Sequence, residues 1–280
     1  MPSFFSFTFA NLIVTAMSLP LVPFLLLGRT FSPHSNLHFL YVDPEDSTRV
    51  ALPARLQDAV TLASDSLKAL QVSAALQFCI DSIIVTILTS LTPGLPTPSH
   101  IQQWRTWLHN QRINIIFSPY LNLTRWGWVN KEDTPENRVD FTLSILTDLA
   151  ELTDKTREGY PLTVEYFRFC FVITALHELT HLLTKFAFPN AITPIVPGTI
   201  LSFGEAGEAF ELQMLGGRLV CEWDKEHVTD FKHLRNLYLH RDGMDYPIPI
   251  SQYLTSIQTK PTSPPSWPKS GTPPPTLYMP

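Results

Sequence analysis

His177-Glu178-Leu179-Thr180-His181 is the stretch of this chain whose residue types and spacing can do chemistry. On a helix, side chains four apart stand one turn apart on the same face, so both imidazoles can reach one metal ion. Glu178 would stand beside that face, where a carboxylate can polarise a water bound to the metal. So short a pattern also arises by chance, and its surroundings must decide it. It is embedded between Phe169-Cys170-Phe171-Val172-Ile173-Thr174-Ala175-Leu176 and Leu182-Leu183-Thr184-Lys185-Phe186. Pro161 can open a helix in its first turn and Pro189 would stop one, which predicts about 26 residues of helix around the motif.

That helix is apolar nearly all the way round, the mark of a buried element. Two histidines and a glutamate in such surroundings are costly unless they are hydrogen-bonded or ligate a metal. The competing reading is a core helix with two satisfied histidines. The metal reading is preferred because Glu178, between the histidines, has no evident structural purpose.

A metal site open to water needs a third protein ligand. Gly204-Glu205-Ala206-Gly207-Glu208-Ala209-Phe210-Glu211-Leu212-Gln213-Met214-Leu215-Gly216-Gly217 offers three glutamates at i, i+3 and i+6 of a second expected helix. Between the helices, Phe188 to Phe203 is long enough for a reversing loop and contains three prolines. Gly207 would let the helices approach closely, and Gly216-Gly217 would end the second one. Glu205 is the favoured ligand, because it stands where the chain first turns back toward the metal helix, among small neighbours. Glu211 is the alternate, as ligand or as the carboxylate that orients His177 or His181 through its other ring nitrogen. Glu208 is a further alternate, or a solvated charge favoured by the helix dipole. The whole triplet also reads as an exposed acidic helix face.

His177-Glu178-x-x-His181 followed by a helical glutamate resembles the zincin metallopeptidases, in the branch whose third ligand is a glutamate (gluzincins). The longer pattern, with Gly-Glu-x-Gly-x-x-x-Glu and a Gly-Gly pair, is also similar to fungal proteins of that general kind. The resemblance covers roughly residues 161–217. It implies an α+β, zincin-like fold: a small sheet packed on the motif-bearing helix, with an edge strand able to bind an extended peptide. It implies one Zn²⁺ held by His177, His181 and Glu205, and Glu178 as the catalytic base. One departure stands out. In familiar gluzincins an aspartate four residues after the ligand glutamate supports a histidine ligand. Here Ala209, Leu212 and Leu215 occupy the positions four after Glu205, Glu208 and Glu211.

The remaining chain must position this motif. Its 280 residues, 44% hydrophobic, can bury one substantial core. A net charge of −5 without a basic run gives no support for nucleic-acid binding. Three cysteines, Cys79, Cys170 and Cys221, form neither a disulfide framework nor a metal-type spacing, and Cys170 reads as a core filler. Residues 1–28 form an apolar N-terminal segment, and residues 4–27 are long enough to span a bilayer. No basic residue precedes Arg29, and Pro20 and Pro23 interrupt the run. Secretory or membrane targeting and a buried intracellular element both remain open. Asn122-Leu123-Thr124 is a glycosylation acceptor only on the secretory route.

Leu37 to Val42, Ile113 to Phe117 and Val139 to Leu146 read as strands, the last as the candidate edge. Pro53 to Leu70 and Ile101 to His109 read as helices, with Trp104, Trp107 and Leu108 facing the core. Residues 74–91, an apolar run broken by Asp81, read as a core helix. Trp126 and Trp128 read as core or hairpin packing, with the lining of a cleft as the alternative. Cys221 to Ile257 reads as mainly helical; His227, His233, Tyr238, His240, Tyr246 and Tyr253 lie there as candidate oxyanion donors. Residues 258–280 read as a proline-rich disordered tail. The expected domain is 29–257. Its expected substrate is a peptide or protein. The alternatives are a catalytically inactive zincin-like binding protein and a membrane-associated protein with an incidental motif.

Overall fold

Among the described residues, short apolar strands and long apolar helices form a mixture of helices and two small sheets. The computed structural model describes residues 37–42, 49–50, 57–91, 98–118, 126–129, 137–142, 164–188, 196, 205–223, 234–241 and 243–248. The N-terminal segment 1–28, the glycosylation triplet at 122–124 and the tail 258–280 lie outside them. No helix among the described residues is long and apolar enough to cross a membrane.

The first sheet runs β2-β1-β3-β5-β4, with β1 at Leu37–Val42, β2 at Arg49–Val50, β3 at Ile113–Ser118, β4 at Gly127–Trp128 and β5 at Arg138–Thr142. β1, β3 and β5 are parallel, while the two-residue strands β2 and β4 pair antiparallel at its ends. Strand alternation turns Phe39, Phe117 and Phe141 to one face. Their rings follow one another at 6.4 and 5.9 Å, and Phe141 continues to Phe171 of the motif helix at 5.2 Å. One aromatic row therefore ties the sheet to the helix. The expected edge strand is corrected here. Asp140 and Phe141 are paired on both sides, by β3 and β4, so β4 forms the edge among the described residues, and positions 143–146 lie outside them. Nothing in local alternation tells a strand where it ranks in a sheet.

Among the described residues, three helices lie between β2 and β3: α1 at Gln57–Val72, α2 at Ala74–Leu91 and α3 at Pro98–Asn110. Ser73 separates the first two, and its hydroxyl accepts from the Leu76 backbone N–H, an N-cap contact. The charge that broke the apolar run of α2 has partners. Asp81 accepts from Trp104 Nε1 at 2.8 Å and Arg105 at 2.5 Å, stapling α2 to α3. Trp104, Trp107 and Leu108 are buried, as their spacing predicted.

The motif helix, α4, spans Val164–Ala187 and touches α1, α2, α3, β4, β5 and the next helix. Phe169 to Leu176 is buried apart from the half-buried Thr174. That next helix, α5, covers Ala206–Leu215 and ends at Gly216, whose φ of 77° is the left-handed C-cap for which glycine is suited.

Beyond it the expectation of a mainly helical C-terminal part is overturned for the described residues. β6 (Arg218–Trp223), β7 (Leu234–Arg241) and β8 (Met244–Pro247) form an antiparallel meander. The alternation that makes it so is legible: Leu219, Cys221, Leu237 and Leu239 join the core, while Arg218, Tyr238 and His240 stand on the other face. Asp242-Gly243, between the paired Arg241 and Met244, is a strong two-residue hairpin signal. Gly243 takes a φ of 73° there.

Candidate metal centre

The α4 and α5 helices pack directly on one another, and three ligand-type side chains meet between them. His177 and His181 stand one turn apart with ring centroids 4.9 Å from each other. Glu205 is the N-cap of α5, in extended backbone, and its side chain makes no capping bond. It is turned instead toward the histidines. One carboxylate oxygen lies 3.6 Å from His177 Nε2 and the other 3.6 Å from His181 Nε2. Ligand atoms of His177, His181 and Glu205 all fall within 4.8 Å of one another, and the group can hold a metal ion.

The donor set fits that role on geometric grounds. Two atoms held about 2 Å from a tetrahedral ion stand about 3.3 Å apart, close to the observed nitrogen–oxygen separations. Direct hydrogen bonds would be shorter, near 2.8 Å for charged partners. Two imidazole nitrogens and one carboxylate suit zinc and several other first-row ions alike.

Glu211 does something different. Its Oε1 lies 2.6 Å from His177 Nδ1, and its Oε2 accepts the backbone N–H of Leu219 at 2.8 Å. With Nδ1–H donating to Glu211, Nε2 of His177 is the ring nitrogen that faces Glu205. This is how an outer carboxylate sets the tautomer and direction of a metal-binding histidine. Glu208 departs from its expectation as a solvated charge. It is 5% exposed and binds Arg218 at 3.1 Å, while its Oε2 is buried without a hydrogen bond among the described residues.

Two glycines let these elements close. A Cβ at Gly207 would fall 2.2 Å from His177 Nε2, inside the space of the ring. A Cβ at Gly127 would fall 2.6 Å from Glu178 Cγ. The first contact follows the expected close approach of the two helices. The second was hidden, because nothing in Arg125-Trp126-Gly127-Trp128 says that the glycine rests on the motif. Trp126 is buried in the core and Trp128 is 40% exposed.

The electrostatics follow from this packing. Burial works against a charged His177, but the facing Glu205, the hydrogen-bonded Glu211 and the charge of Glu178 outweigh it and hold the imidazole well above its usual pKa. The carboxylates that favour a protonated imidazole would equally favour a cation held between the two helices. Burial, helped by the charges of Glu205 and Glu211, raises Glu208 against the influence of Arg218 and His177. Burial acts on two of the cysteines as well. Burial pushes Cys79 up to about 12, and burial together with neighbouring Cys221 and Glu211 raises Cys170.

Of the candidate oxyanion donors, Tyr238 gives its hydroxyl to Glu222, His240 Nδ1 lies 2.7 Å from Asp245, and Tyr246 lies beneath Arg241. His227, His233 and Tyr253 lie outside the described residues. No protein-family model, curated protein or solved structure matches this chain.

Proposed function

We propose that this chain is a zinc-dependent metallopeptidase of the gluzincin kind. One observation carries the reading: Glu205 presents its two oxygens to Nε2 of His177 and Nε2 of His181 at equal distances, completing a two-histidine, one-carboxylate set. His177, His181 and Glu205 would hold the ion, leaving a coordination position for water. When bound, the ion would supply Lewis acidity and lower the pKa of that water. Glu178, fixed on the same helix turn and 7% exposed, would accept the water's proton and later deliver it to the leaving amine. Glu211 would keep His177 in the binding tautomer.

The sheet supports the same reading. Among the described residues its edge strand is β4, which lies against the motif helix beside Glu178, and adding an extended peptide to such an edge would need only backbone hydrogen bonds. A catalytically inactive relative, with the same metal and a binding groove, is the alternative function.

The test is zinc quantification on purified protein joined to digestion of an unbiased peptide library. We expect about one zinc per chain, lost in His177→Ala and in His181→Ala. Glu178→Gln is expected to keep the zinc and lose hydrolysis by about 10²–10⁴-fold or more. Wild-type protein that refuses zinc on titration sinks the metallopeptidase reading. Zinc without hydrolysis by the wild type selects the inactive relative.

A further inference from the structure

Glu178 lies across bare backbone. A Cβ at Gly127 would stand 2.6 Å from its Cγ and 3.2 Å from both Cδ and Oε1. Ordinary carbon contacts begin near 3.5 Å, so any side chain at this position would strike the middle of Glu178. Cγ is placed by χ1 alone, and it can retreat only by leaving its rotamer. Nor is β4 free to lift away: Gly127 pairs with Phe141, and Trp126 accepts the Thr142 backbone N–H at 3.0 Å. Phe141 in turn packs on Phe171 of α4 itself. The strand is thus pinned to the helix it presses upon.

The motif is held from two sides. Gly207 of α5 meets His177, and Gly127 of β4 meets Glu178. The first contact governs where the metal ligands stand; the second touches only the residue between them.

We propose that Gly127 is a positioning residue, whose missing side chain sets the rotamer of Glu178. This rests on Glu178 being the base, but its geometric half can be tested apart from activity. Gly127→Ala is made in the native background and in a Glu178→Ala background, and thermal midpoints of the metal-free proteins are compared. In the native background the midpoint should fall by about 2–8 °C from overpacking. With Glu178 truncated, the same substitution should leave the midpoint unchanged or raise it, since the obstruction is gone and alanine costs less backbone entropy than glycine. In the zinc-loaded protein, Gly127→Ala should keep one zinc per chain and its KM, and lower kcat by about 10²-fold, the penalty of misplacing a reacting group by about 1 Å.

Equal midpoint changes in the two backgrounds overturn the proposal. So does an unaltered kcat in a variant whose wild-type parent is active. If the wild type cleaves no peptide, the base assignment fails, while the two backgrounds still decide whether Gly127 sets Glu178.

Discussion

Replacing Gly207 by alanine tests the packing of the metal centre against a rule that would predict the opposite result. Inside an exposed helix this change stabilises a protein by about 0.5–1 kcal/mol, because glycine loses more backbone entropy on folding. Here the new methyl would stand 2.2 Å from His177 Nε2, 2.3 Å from Cδ2 and 2.5 Å from Cε1. Contact distances near 3.5 Å require a separation of more than about 1 Å between α5 and the imidazole. The ring has little room, because Glu211 holds its Nδ1 and Glu211 is itself tied to Leu219. Overpacking of this kind costs about 1–3 kcal/mol or more, enough to overcome the propensity gain. A net loss of about 1–2 kcal/mol would lower the thermal midpoint by about 2–8 °C. Metal binding suffers more. Ligand distances are held to within about 0.2 Å, so a shift of about 1 Å between Glu205 and His177 should weaken zinc by about 10–100-fold or more. Calorimetric melting of the metal-free protein and competitive zinc titration read the two effects separately. A Gly207→Ala protein that melts higher and binds zinc as tightly as the wild type would refute the close approach on which the site is built.

Glu211→Gln keeps the shape and an oxygen for the Leu219 N–H but loses the charge that favours the Nδ1–H tautomer of His177. Zinc affinity should fall by about 10–100-fold, measured by competition with a chromogenic chelator, and an unchanged affinity would remove Glu211 from the centre. The raised pKa of His177 predicts opposite pH dependences for the metal-free and metal-bound protein. Without metal, the stability contributed by the protonated ring is complete below its unfolded value of about 6.5 and is lost as pH rises through the folded value. Zinc must displace that proton, so apparent affinity should rise about tenfold per pH unit until the folded value is passed. A pH-independent affinity from neutrality upward would show that no proton is held there.

Much of the site is written locally. Spacing of four on an apolar helix puts His177 and His181 on one face whatever surrounds them, while Gly207 announces a close approach by its missing side chain and Gly216 a helix end by its backbone freedom. The helices follow from a period of 3.6 and the central strands β3 and β5 from short runs buried on both faces, which are properties of neighbouring residues. What three glutamates on one short helix do could not be read that way. Glu205, Glu208 and Glu211 share a residue type and nearly share a face, yet one turns to the histidines, one to Arg218 and one to His177 and Leu219. Their roles depend on what packs opposite, and β6 arrives there only through the Gly216-Gly217 turn. The meander's alternation is present in Leu219, Cys221, Leu237 and Leu239, but the polar residues between them commit to strand only once a partner supplies the hydrogen bonds. Gly127 is the extreme case. It lies 51 positions before Glu178, and only the pairing of β4 with β5 and the stacking of Phe141 on Phe171 bring its backbone onto that side chain.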